Sequence, residues 1–479
     1  MRTALTVLAC FALSPAPAPG QMVAASGPAL APKPAGPETI RLTATPAPEP
    51  RPSLSWLLLP PVTEQTPGNA AQMYLLADTL AHSADSEGER VKELLAMPLS
   101  DLPIPEATRL VGACPSALRQ SELAARREYY HCDYINLSEG FYAPMPSLGK
   151  RMNLARLLAL RVRLHLAKGQ LREAVADLQT GMAMARHLGT GPTLVHCLVG
   201  CGIATEMLPR VDELISLPDS PNLYWALAAL PRPMIDLTRA MAYERSSLLL
   251  AYPDLAKLKT GELSAARWMA ICRELQGLLG GPQSGPSTKQ NWQERLADTF
   301  AAVKSYTRAK KALIARGYPA RKVEAMPVHQ VIGIHQLDVY ERIRDEAFRW
   351  FYLPYWQAHD PLDRATEELR RALAADPDNL FLKTMPSLGR AYFLATTVDR
   401  RIAALRCVEA IRMYAAAHDG RLPGRLEDVT DVPLPLDPTT GKAFGYGVSG
   451  NTCILESPAP SPAPEEAKDG LRYELTLKK

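Results

Sequence analysis

Apolar residues recur at helical spacing through most of this chain. Leu171, Ala174, Val175, Leu178, Met182 and Ala185 fall on one face at 3.6 residues per turn. The same spacing predicts helices over 72–80, 121–133, 153–167, 171–188, 195–217 and 222–230, separated by Gly and Pro. It continues over 234–251, 263–279, 292–315, 331–353, 362–374 and 387–417, with a Gly280-Gly-Pro-Gln-Ser-Gly-Pro286 link between two of these. A break at Lys168-Gly169 folds 153–167 back on 171–188 as an antiparallel hairpin. Met145-Pro-Ser-Leu-Gly149 recurs as Met385-Pro-Ser-Leu-Gly389, each opening a long helix, and Pro followed by Ser suits a capped helix start.

Beyond residue 400 the period changes. Ile402, Leu405, Val408, Ile411 and Met413 line a helix that stops at Asp419-Gly420, where Gly can adopt the left-handed closing conformation. Leu422-Pro423 forces an extended exit, which lets Leu426 and Val429 fold back. Asp437-Pro438-Thr-Thr-Gly441 is a turn by its Pro and Gly. Three short strands follow: Phe444 to Val448, Cys453 to Leu455, and the strictly alternating Leu471 to Leu477.

That order, with Tyr414-x4-Asp419-Gly-x-Leu-Pro423 and Asp437-Pro-x-x-Gly-x-x-Phe444-x-Tyr446, resembles the globular tail of type II secretion pseudopilins over residues 400–479. The resemblance implies a long helix carrying a small antiparallel sheet. Gly420 is expected at positive φ, and Leu422, Leu426 and Tyr446 against the helix. Leu471–Leu477 should pair beside one of the two preceding strands, with 458–469 looping outside. Calcium does not carry over. The stretch 448–456 offers only Ser449, Asn451, Thr452 and Glu456, too few carboxylates for a hard cation. In the body, Gly169, Ala174, Leu178 and Gly181 resemble half of a tetratricopeptide repeat, although Arg161 stands where that repeat has Leu. The segments 221–233 and 344–356 resemble uncharacterised exported bacterial proteins.

The other end bears on compartment. Met1-Arg2 and the apolar 4–13 form a signal-peptide pattern, so residues 1–20 are read as a signal and the chain as exported to the periplasm or exterior. Val7-Leu-Ala-Cys10 gives lipid anchoring at Cys10 as the minor alternative. Residues 21–61 are rich in Pro and Ala and are expected to be a disordered tether. A helical body over 62–385 and the pseudopilin-like unit over 386–479 complete the division, a mainly α fold with a small α+β end.

Charge narrows the partners. With 54 basic and 50 acidic residues the net charge is +4, and the two signs are mixed along the helices, which gives no footprint for nucleic acid. The most apolar run, 194–204, is shorter than a bilayer requires, so no transmembrane helix is expected in the mature chain. Besides Cys10 there are Cys114, Cys132, Cys197, Cys201, Cys272, Cys407 and Cys453, an odd set at irregular spacing that reads as buried thiols. Cys114 with Cys132 is the pair to test for a disulfide.

Candidate chemistry is sparse. His196, Cys197 and Cys201 share one helix and suit half of a zinc site, but no second ligand pair follows, so no metal and no cofactor is assigned. His329 and His335 do not share a helix face. Arg232, Asp236, Arg239, Glu244 and Arg245 are read as interhelical ion pairs before a substrate clamp. Phosphate-loop, nucleophile-elbow and His-Glu-x-x-His patterns do not occur. The expectation is an exported, non-enzymatic helical scaffold of the bacterial envelope that contacts other envelope proteins; catalytic residues are unassigned. The alternatives are an enzyme with a cleft lined by Trp225, Arg232, Arg349 and Trp350, or a Cys/His metal or redox protein.

Overall fold

The structure, a computed structural model, describes residues 37–81, 87–145, 148–279, 292–460 and 469–478. The expected signal, the lipid-anchor Cys10 and the whole Gly280–Pro286 link lie outside them. The fold is mainly α with a small C-terminal α+β unit. The body opens with α1 (Ala70–Leu80), α2 (Gly88–Ala96), α3 (Ile104–Gly112), α4 (Pro115–Ala125), α5 (Leu148–Ala167), α6 (Leu171–Gly189) and α7 (Leu194–Ile215). It continues through α8 (Tyr224–Ala228), α9 (Thr238–Ala251), α10 (Ala265–Leu278), α11 (Trp292–Ala315), α12 (Ala320–Ala325), α13 (Val328–Phe348), α14 (Tyr355–Ala375) and α15 (Leu380–Lys383). The long α16 (Leu388–Ala417) then leads into the tail.

The α5–α6 hairpin forms as the spacing predicts, and α7 packs on both its helices. By length and composition α7 could cross a membrane, but most of it is buried inside the protein, so it serves as a core helix. Helices α5 and α16 both start at the Leu of the recurring pentapeptide. Ser387 makes no side-chain cap hydrogen bond, so capping does not explain that second start. The helix expected over 121–133 ends at Ala125. Residues Arg127–Tyr129 instead form β3, paired parallel with β2 (Thr66–Asn69). Tertiary contact decides this: Arg127 reaches the Pro67 carbonyl (2.6 Å), and His131 and Asn69 exchange hydrogen bonds (2.6 and 2.9 Å).

Four strands, β1 (Glu38–Ala44), β4 (Gly445–Ser449), β5 (Thr452–Ser457) and β6 (Leu471–Leu477), form one sheet in the order β1-β6-β5-β4. The antiparallel part matches the expected tail. The β5–β6 pair sets Cys453 opposite Leu475 and Leu455 opposite Tyr473, and all four face the core. The fourth strand corrects the sequence reading. Glu38–Ala44 falls within the expected tether but pairs parallel with β6 along its whole length, Glu38 opposite Leu471 and Ala44 opposite Leu477. Ile40, Leu42 and Ala44 alternate inward with period two, a strand signal masked by the surrounding Pro and Ala.

The chain after β1 is held as well. Ala47 donates its N–H to the Arg412 carbonyl, and the Arg412 Nε donates to the Thr45 carbonyl (3.1 and 2.9 Å). Arg412 is fully buried, pairs with Glu409 and also donates to Ser220. A charge removed from water needs partners on every side, and the segment after β1, α16 and the loop before α8 supply them.

Gly420 has φ 78° and ends α16 as expected, its N–H bonded to the Ala415 carbonyl (2.8 Å). Leu426 is buried, while Leu422 and Tyr446 pack partly covered on the same core. The Asp437 carboxylate sits inside the following turn, accepting from Thr439 N (2.9 Å) and from the hydroxyls of Thr439, Thr440 and Ser457. The largest apolar core runs without interruption from α1 to the tail sheet, so no core boundary falls at 385/386. A second core gathers Tyr252, Trp268, Ile334, Tyr340 and Phe381 from α9–α15 and the turn between α9 and α10.

Candidate functional site

The residues singled out in the sequence disperse. Cys197 points its thiol at the Gly189 carbonyl, Cys201 packs in the core, and no metal-holding group of His, Cys, Asp and Glu occurs among the described residues. Cys114 and Cys132 are both buried, and no disulfide joins them. His329 bonds the Leu263 carbonyl, while the buried His335 Nδ1 has no partner among the described residues. Of the five charged residues at 232–245, Arg245 makes an ion pair with Asp345, Arg239 meets His131, and Glu244 accepts the Leu194 N–H at the start of α7. Burial pushes the Glu244 carboxyl up to about 7. Trp225 bonds Glu49, and Arg349 lies over the Trp350 ring, so three of the four residues proposed for a cleft sit elsewhere. Only Arg232 and Asp236 line a cavity that lies between body and tail.

His196 does have a Cys neighbour, but a different one. Its Nε2 lies 3.4 Å from Cys132 Sγ, while Nδ1 meets the Thr193 hydroxyl at 2.8 Å. A nucleophile beside an oriented base has this outline. The electrostatics run the other way. Burial raises the Cys132 thiol, and burial with the Arg151 and Arg239 charges lowers His196 to about 4. Both groups are therefore neutral at pH 7, and a buried thiol is a poor nucleophile.

The cavity of about 830 Å³ lies where body and tail meet. Helix α16 lays its floor with Ala395, Thr396, Asp399, Ile402, Ala403 and Arg406. With Asp399 as i, these fall at i−4, i−3, i, i+3, i+4 and i+7, a stripe along one helix face. One wall is the loop 231–237, which contains the cis Arg232–Pro233 bond, together with Thr238 at the start of α9. The corner between α13 and α14 makes the second, with Phe351, Tyr352, Tyr355 and Trp356. The third is the tail loop 433–438. Its Pro433 carbonyl accepts from the Tyr224 hydroxyl, and Gly441 lies so close to the Trp356 ring that an added Cβ would be 2.7 Å from it. The rim stays open and apolar: Tyr352 is 71% exposed, Leu436 60% and Trp356 47%.

Two ionisable groups break the apolar floor. Asp399 accepts the Met234 N–H with one oxygen (2.8 Å), the only hydrogen bond to this carboxylate among the described residues. Burial pushes the carboxyl up to about 7, against smaller opposing effects of that N–H and of Arg232. Two turns on, Arg406 is buried, lies over the Tyr224 ring and donates from Nη2 to the Tyr224 hydroxyl (3.0 Å), leaving Nε without a partner among the described residues. The Tyr392 phenol, raised to about 12 by burial and by Asp399 and Asp236, stays neutral at the same floor. The lining contains no His, Cys or Ser. Sequence reasoning passed over Asp399 and Arg406, although two charges seven apart among Ala395, Thr396 and Ala403 were a visible break in an apolar helix face. Comparisons with protein-family models, with curated proteins and with solved structures find no match to this chain.

Proposed function

We propose that this protein is a non-enzymatic binding and scaffold protein of the bacterial envelope, and that it engages its partner in the groove between helical body and tail. The observation that carries the reading is the open rim of Tyr352, Trp356 and Leu436 around a cavity of ligand-binding size. Apolar side chains grouped at a concave site favour recognition, and the nearby pseudopilin-like tail suits an assembly role. Export rests on the Met1–Leu13 pattern and is tested by fractionating cells that carry the tagged full chain. The groove is tested by affinity capture from envelope extract with the parent and with Trp356→Ala. Retention of a reproducible partner by the parent, lost in the variant, supports the reading; equal retention by both, or none by either, removes it.

A second reading has its own observation. A carboxyl held near pH 7 in a cleft is suited to general acid–base work, which makes Asp399 the candidate for an enzyme of unassigned reaction. Turnover of any compound by the parent, lost in Asp399→Asn with binding retained, would favour this reading over the first.

A further inference from the structure

We propose that the groove binds a short apolar peptide in its zwitterionic form, the terminal ammonium at Asp399 and the terminal carboxylate at Arg406. The inference rests on the groove being the binding site and names what it takes. Asp399 and Arg406 lie seven residues apart on α16, about 10.5 Å along the helix axis. An extended tripeptide spans about 10 Å. The two end groups therefore match in sign and separation, and the body between them meets Phe351, Tyr355, Ile402 and Leu434. Asp399 has a carboxylate oxygen to spare, and Arg406 has an unpartnered Nε while more than nine-tenths buried. An unpaired buried guanidinium nitrogen is costly, and a ligand carboxylate would satisfy it through a charge-assisted bond. Arg232 stands near Asp399 but is exposed and donates to the Ala228 carbonyl.

Calorimetry on the full chain tests this with leucyl-phenylalanyl-leucine, its N-acetyl derivative, its C-terminal amide, and decanoate. The free peptide should bind, and each blocked derivative should bind at least about tenfold more weakly, the worth of one charge-assisted contact. Asp399→Asn should abolish discrimination against the acetylated peptide and keep discrimination against the amide; Arg406→Gln should do the reverse. A role in folding alone would not produce that crossed pattern. Equal binding of free and blocked peptides overturns the proposal, as does binding of decanoate without the peptide. If no peptide binds but Trp356→Ala still loses its captured partner, the peptide inference fails and the groove reading stands. If Trp356→Ala keeps that partner, the groove reading fails, and the peptide inference with it.

Discussion

Asp399 carries the clearest pH signature among single residues. Its folded value of about 7 lies above the ordinary 3.8, so between those limits the native protein holds a proton that the unfolded chain has released. Stability therefore falls as pH rises from about 4 to about 7 on this group's account. Asp399→Asn removes the effect. The stability of the variant relative to the parent should climb through that window, by at most about 1.4 kcal/mol per pH unit, and level off above it. Urea unfolding at several pH values reads this, and parallel curves would mean that the carboxyl is not held neutral. His187 and His196 act in the opposite sense. Burial holds both at about 4, below the ordinary 6.5, so their contribution is lost as pH falls between those values. At the tail, Gly420 closes α16 at φ 78°, a conformation that a β-branched residue fits poorly. Gly420→Val should cost more than the roughly 1 kcal/mol of a propensity change. A smaller loss in thermal melts would place the helix end elsewhere.

Helix ends were the least legible elements, because side chains far away in sequence decide them. The last carbonyls of α2 show how. Arg163, fully buried on α5, donates to the carbonyls of Leu94 and Met97 and pairs with Glu213 (3.1 Å), while Arg210 reaches towards the Leu95 carbonyl. Cations at a helix C-terminus meet its partial negative charge. Arg163→Met should cost about 3–5 kcal/mol, because Glu213 then keeps its charge largely buried with less compensation. Adding Glu213→Gln should recover part of that loss in the same melts; no recovery would place the cost in packing alone. Nothing in the spacing around Arg163 announced this role. By contrast the α5–α6 hairpin, the stop at Gly420, the Asp437–Gly441 turn and the three tail strands could all be read directly, since each depends on local periodicity or on Gly and Pro. The groove could not. Its walls come from residues near 235, 353, 399 and 435, and only the finished packing brings them together.

Across the whole molecule, the main correction is β1. Its Ile40, Leu42 and Ala44 alternate among prolines, so composition pointed to a tether where pairing with β6 makes a strand. Leu42 is 4% exposed, and Leu42→Ala should cost about 2–5 kcal/mol by denaturant unfolding, against no change for an unpacked tether. That strand also sets the order in which the fold can be completed. Arg41 and Glu474, bonded across β1 and β6, are 433 residues apart in sequence. During synthesis from the N-terminal end, β1 emerges early and must wait, unpaired, until almost all of the helical body has followed it. Parallel pairing over such a separation carries a loop-closure cost that is met only when the body has already collapsed and brought the two strands near. Nascent chains truncated before β6 should thus keep the helical body while leaving β1 open to protease, so that acquired protection of residues 38–44 would time the final step of maturation.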